Sequence, residues 1–172
     1  CYICNKSAQE SKNSVFFGSL HRKFFVKIHT FARIKQNKNM EQGIYPLKFM
    51  PLFKQRVWGG NKIATELGVD YSPLPSCAEL WCLSGLAEQE TVVANGFLAE
   101  ANLSEVIQMY TDELLGEENY AEFGEEFPLL LKILDAADNL SVQVHPDDDY
   151  AQQIGMRNGK NEMWYVLQAD QG

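Results

Sequence analysis

Apolar residues between positions 103 and 115 recur at helical spacing, with Leu103, Val106, Ile107, Tyr110 and Leu114 on one face. Asn102 precedes them, Glu105 stands three places later as in a capping box, and Gly116 follows as a stop. The spacing predicts a helix over 103–115. Most of the rest reads as strand. Residues 79–84 and 90–93 are short runs of strand character, and 129–134 is an apolar run interrupted by Lys132. Residues 140–145 alternate, so that Ser141, Gln143 and His145 share one face and Val142 and Val144 the other. Residues 162–167 predict a further strand. Residues 45–51 contain two prolines and read as an edge segment. Trp58-Gly59-Gly60, Asn95-Gly96, 135–139 and Asn158-Gly159 are turns. Asn61 caps a short helix that reaches Leu67 and stops at Gly68, and Asp147 to Asp149 open another that runs to Gly155. The loop reading covers 71–76, and the acids between 117 and 126 read as a solvated loop. No internal repeat is visible. Strands joined by hairpin-like turns predict a mainly β fold, an antiparallel sandwich or barrel with one helical insertion.

Composition changes this picture in one respect. The 172 residues, 45% hydrophobic and 22% charged, suffice for one domain with a sizeable core. No apolar run approaches the roughly 18 residues that span a bilayer, so no membrane association is expected. The net charge of -8 argues against nucleic acid as a partner. That charge is split: residues 1–39 carry a formal +7 and residues 40–172 a formal -15. Residues 1–39 are therefore expected to be a basic leader, non-native or disordered, with Met40 the natural start of the folded protein. A targeting peptide or a basic arm are the other readings of that stretch. Cys1 and Cys4 form a C-x-x-C, and Cys77 and Cys82 are separated by four residues, which is no clear framework. Free thiols in a reducing, cytoplasmic compartment are expected.

The candidate chemistry lies near the end of the chain. Gln143 and His145 share a strand face, and Glu162 opens what reads as the neighbouring strand. An amide oxygen, an imidazole nitrogen and a carboxylate around one point suit zinc or a similar divalent metal. Lys160, two residues before Glu162, shares its face. Lys132 inside an apolar strand is costly to bury without a partner and suggests a lined pocket. Ser141 lies on the Gln143 side, and Trp58 offers an aromatic wall for a sugar. Each has an ordinary structural reading as well: a barrel histidine, a strand-end acid, snorkelling lysines, a structural hydroxyl and a core aromatic.

Trp58-Gly-Gly60, Glu79-Leu-Trp81, Phe127-Pro-Leu-Leu-Leu-Lys-Ile-Leu-Asp-Ala136, Leu140-Ser-Val-Gln-Val-His-Pro-Asp-Asp148 and Gly159-Lys-Asn-Glu-Met-Trp-Tyr-Val-Leu167 together resemble the type I mannose-6-phosphate isomerases of the shorter bacterial kind. The resemblance covers 43–172. It implies a cupin-type jelly-roll barrel with a metal inside and the zinc-dependent interconversion of mannose 6-phosphate and fructose 6-phosphate, an aldose–ketose isomerisation. It implies Gln143, His145 and Glu162 as metal ligands, and Lys160 near the sugar. The family's second metal-binding histidine and its catalytic arginine lie further downstream than this sequence reaches. The expectation is thus an incomplete barrel, residues 40–172 forming the N-terminal portion of the metal-binding domain, inactive or nearly so alone. Where the family more often has Glu-Ser-Trp-Glu, this chain has Glu79-Leu-Trp-Cys82, which puts the polar contacts of that strand in question. A non-catalytic cupin that binds metal or sugar and another metal-dependent cupin enzyme, such as an iron dioxygenase, are the rival readings. The dioxygenase fits poorly, because such sites favour two histidines and one carboxylate.

Overall fold

The computed structural model describes the backbone of residues 2–3 and residues 43–170. The reading of 1–39 as a leader, the Cys1–Cys4 pair and Met40 as a start lie outside the described residues, apart from Tyr2 and Ile3.

Among the described residues seven strands and four helices follow in chain order: β1 (Tyr2–Ile3), β2 (Phe49–Met50), β3 (Leu52–Lys54), α1 (Lys62–Thr65), β4 (Glu79–Ser84), β5 (Val92–Val93), α2 (Leu103–Leu115), α3 (Glu117–Phe123), β6 (Leu130–Leu134), α4 (Asp148–Gln153) and β7 (Met163–Trp164). One sheet has the order β3-β4-β6-β1-β7 and a second pairs β2 with β5, every pairing antiparallel. Among the described residues the larger sheet remains open. Pro51 separates β2 from β3 and marks where the chain passes between sheets, because it has no N–H to give a ladder.

The larger sheet divides its side chains sharply. Cα partners in antiparallel strands point to the same face. Leu80 pairs with Ile133 and with Phe53, and all three belong to a core cluster with Ile63 of α1, Tyr71, Cys77 and Cys82. A β-bulge between Trp81 and Leu83 shifts the register, so Leu83 turns to a second cluster with Leu103 and Ile107 of α2. The helix expected over 103–115 is α2, closed at its start by reciprocal Asn102–Glu105 bonds. Its stripe of Leu103, Val106, Ile107 and Tyr110 is buried. Thr111 has φ 45°, outside helical geometry, and Leu114 beyond it is only half-buried.

Four expectations need correction. Residues 140–145 form no strand, and of 162–167 only Met163–Trp164 pair. The acid-rich stretch after Gly116 is the helix α3 rather than a loop, because Glu and Ala are good helix formers and Glu117 and Glu118 sit at its favourable N-terminal end. Asn61 stands before α1 but makes no side-chain cap. Asp135 does so instead, its Oδ2 accepting the N–H groups of Lys62 at 2.5 Å and Ile63 at 3.4 Å. This long-range cap explains Gly60, where a Cβ would lie 2.6 Å from the Asp135 carboxylate, while Gly59 leaves room for the entry to β4, a Cβ there falling 2.7 Å from the Ala78 side chain.

Candidate functional site

Opposite the helix-covered side, the register lines up Leu52, Trp81, Lys132 and Trp164 as one row, Lys132 and Trp164 being the two Cα partners of Tyr2 in the backbone of β1. Lys54 and Glu79 pair one step along β3 and β4 and share that face. Lys132 is thus no anomaly in an apolar strand, since Leu131 and Ile133 turn toward the core while Lys132 turns away from it. Its ammonium lies 3.2 Å from Glu79 Oε2, and both side chains are largely buried. The indole of Trp81 donates to the same oxygen at 2.6 Å. Arg56 Nε stands 3.8 Å from Glu79 Oε1, and Lys54 Nζ lies 4.5 Å from the centroid of the Trp81 ring. Sequence reasoning missed Glu79 and Trp81 as a unit. Their signal was the i, i+2 spacing of an acid and an aromatic in an otherwise apolar strand.

Glu162, two residues before Trp164, receives a long 3.4 Å contact from the Trp164 indole. His145 Nε2 is 3.2 Å from Glu162 Oε1 and 3.2 Å from Lys160 Nζ, and Lys160 is also an ionic neighbour of Glu162. The local backbone explains this meeting. Asp147 caps α4 by accepting the Tyr150 N–H at 2.8 Å, Asp148 Oδ1 accepts Gly159 N–H at 2.9 Å, and the Pro146 carbonyl accepts Lys160 N–H at 3.0 Å. The chain leaves His145, makes one short helix and returns beside its own start. Gly159 is needed at the closure, since a Cβ there would fall 2.5 Å from the Asp147 carbonyl carbon. Asp147 and Asp148 therefore cap and close this loop.

Glu162 Oε1 is buried and takes no hydrogen bond of proper geometry, although His145 and Lys160 crowd it. Gln143 is exposed, and its Nε2 donates to Ser141 Oγ at 2.8 Å. The structure thus gathers His145, Lys160 and Glu162 in one group, Ser141 and Gln143 in a second, and Lys132 with Glu79 in a third. Trp58 is half-buried in the turn over the end of β6, where its carbonyl accepts the Ala137 N–H at 2.9 Å. Among the described residues no hydrogen bond or ring contact ties its indole to His145 or Glu162.

Known proteins match this chain over the same region. The family model "Phosphomannose isomerase type I, catalytic domain" matches residues 47–168. The mannose-6-phosphate isomerase of Streptococcus mutans is 40% identical over 127 residues, which are 74% of this chain and 38% of that protein. A mannose-6-phosphate isomerase of Bacillus subtilis is 40% identical over 123 residues, 71% of this chain and 37% of its own length. Among solved structures, the mannose 6-phosphate isomerase from Bacillus subtilis aligns with a TM-score of 0.54 at 34% identity, over 63% of this chain and 32% of that one. A point variant of phosphomannose isomerase from Salmonella typhimurium aligns with a TM-score of 0.54 at 28% identity, over 62% and 27%. The chain therefore spans less than two fifths of the relatives it matches, and by the match over most of its length it belongs to the type I phosphomannose isomerase family.

Proposed function

We propose that this chain carries the metal-binding part of a zinc-dependent mannose-6-phosphate isomerase, with Gln143, His145 and Glu162 as ligands. The observation that carries the reading is the convergence of His145 Nε2, 3.2 Å away, and the Lys160 ammonium on the buried Glu162 Oε1. A buried carboxylate needs positive charge beside it; Lys160 supplies it here, and a cation held between His145 and Glu162 would supply it too. Among the described residues no three His, Cys, Asp or Glu side chains converge, so the set depends on an amide oxygen. The bond from Gln143 Nε2 to Ser141 leaves that oxygen available. Nitrogen and oxygen donors with a single carboxylate fit zinc and leave the site a net positive charge.

Isomerisation moves a proton between adjacent carbons while negative charge grows on oxygen, and a bound zinc supplies Lewis-acid stabilisation of that charge. Lys160 Nζ, beside His145, is placed to donate to a sugar oxygen. Lys132 Nζ holds a second positive charge on the face that Trp164 and Glu162 share, suited to a hydroxyl or to the phosphate. Ser141 Oγ is a further hydrogen-bonding group for substrate. The activity is proposed for a cytoplasmic protein of the relatives' length, with a closed jelly-roll barrel that supplies the remaining ligand. This chain alone is expected to be inactive or nearly so.

A coupled assay for fructose 6-phosphate formed from mannose 6-phosphate tests the reading, on this chain and on a form extended to the relatives' length. The extended form should turn over substrate and bind one zinc, and His145→Ala and Glu162→Gln should each lose the metal. Full activity in the 172-residue chain would show that no essential group lies elsewhere. Stoichiometric zinc in both variants would remove the ligand assignment. Zinc binding without turnover in the extended form would favour a cupin that binds without catalysis.

A further inference from the structure

We propose that Glu79 is a positioning residue, held by the Trp81 indole, that fixes the Lys132 ammonium on the site-bearing face of the sheet. The role rests on the reading of that face as the substrate side. Both Glu79 oxygens are engaged: Oε2 by Trp81 at 2.6 Å and Lys132 at 3.2 Å, Oε1 by Arg56 at 3.8 Å. An indole donor on a buried strand fixes the carboxylate, and the carboxylate in turn fixes one end of a long, rotamer-rich side chain. The row from Trp81 through Lys132 to Trp164 gives the direction, because Lys132 and Trp164 stand two strand spacings apart, about 10 Å. The two residues at which this strand departs from the family's pattern, Leu80 and Cys82, both lie in the core cluster on the other face. Glu79 and Trp81 match the pattern and carry the polar contacts.

Brief acylation of the 172-residue chain with acetic anhydride, read lysine by lysine by mass spectrometry, tests the contact without requiring activity. Lys48, exposed on the surface, serves as the reference. Glu79→Gln should raise the Lys132 rate about ten-fold as the ammonium is released from its carboxylate partner, with Lys48 unchanged. Glu79→Asp should restore much of the protection. Trp81→Phe, which keeps the ring and removes the donor that holds the carboxylate, should raise the rate about three-fold. Equal Lys132 rates in wild type and Glu79→Gln would overturn the proposal. Should that variant unfold and expose every lysine, an unchanged rate in Trp81→Phe would overturn it instead. In the extended enzyme Glu79→Gln should lower kcat far more than it changes KM; wild-type kinetics beside a freed Lys132 would also overturn the role. An extended wild type with no isomerase activity would defeat the functional reading and leave the acylation result standing.

Discussion

Residues 47–135 and residues 136–170 are held together by different forces. The first stretch contains every buried residue described except Ala151, and most of its buried apolar residues form three clusters between the sheet and its helices. The second contains Val142 and Val144, 99% and 95% exposed, and a run from Met163 to Leu167 in which every side chain is exposed. Yet His145, Lys160 and Glu162 belong to the second. Hydrogen bonds that close 146–160 on itself order its centre, and the β7 pairing and the surface ion pairs Lys62–Asp170 and Arg157–Glu126 tie it to the rest, so the candidate site leans little on the apolar core. A metal that joined His145 to Glu162 would add a link that packing does not provide.

The largest effect expected from a single substitution falls in the first stretch. Ile107 is fully buried against Leu83 and Leu103. Ile107→Ala should cost about 3–4 kcal/mol through lost burial and the cavity left behind, a large share of the roughly 5–15 kcal/mol that holds a domain folded. Urea unfolding would measure it. A loss as large from Tyr165→Ala, in the exposed run, would break the comparison by showing that 136–170 packs as tightly as the rest.

A smaller effect appears at alkaline pH, and again the first stretch carries it. Burial of Cys82 pushes its thiol up from 9.0 to about 12. The raised value means that the folded state keeps its proton while the unfolded chain loses it. The stabilisation is complete below pH 9 and disappears as pH rises toward 12, at up to about 1.4 kcal/mol per pH unit for one group. Cys77 is raised by burial as well and acts in the same sense. Urea midpoints taken between pH 8 and 11 should fall for the wild type and fall less steeply for Cys82→Ala. Parallel slopes in the two would show that Cys82 is not the group responsible.

Local signals in the sequence were read well, and pairings between distant segments were not. The period of Leu103, Val106, Ile107 and Tyr110 and the Asn102–Glu105 box lie within fifteen residues of one another, and α2 forms where they predict. Residues 79–84 and 129–134 carry enough apolar length to be strands under almost any partner. Residues 140–145 alternate just as clearly, but alternation makes a strand only where an edge is available to pair, and none of the described strands pairs with them. The Asp135 cap of α1 and the Glu79–Lys132 pair join positions more than fifty residues apart and depend on register, which one sequence does not display. The site shows the same division. His145, Lys160 and Glu162 meet through a short loop, whereas Gln143 bonds to Ser141 and Trp58 is anchored through its backbone.

The smallest expected effect is also the sharpest test of the comparison. Val144 is 95% exposed in this chain, so Val144→Ser removes almost no buried surface and should change stability by less than about 0.5 kcal/mol. In a form extended to the relatives' length, the proposed barrel would cover the Val142 and Val144 side of this segment. The same substitution should then cost about 1–2 kcal/mol, the transfer of a buried valine side chain made unfavourable by a hydroxyl. The difference between the two forms, read as unfolding midpoints under identical conditions, isolates what the additional polypeptide contributes at that point. A loss of the larger size in the 172-residue chain itself would mean that residues 136–170 already pack against something, and that the site is held by burial after all.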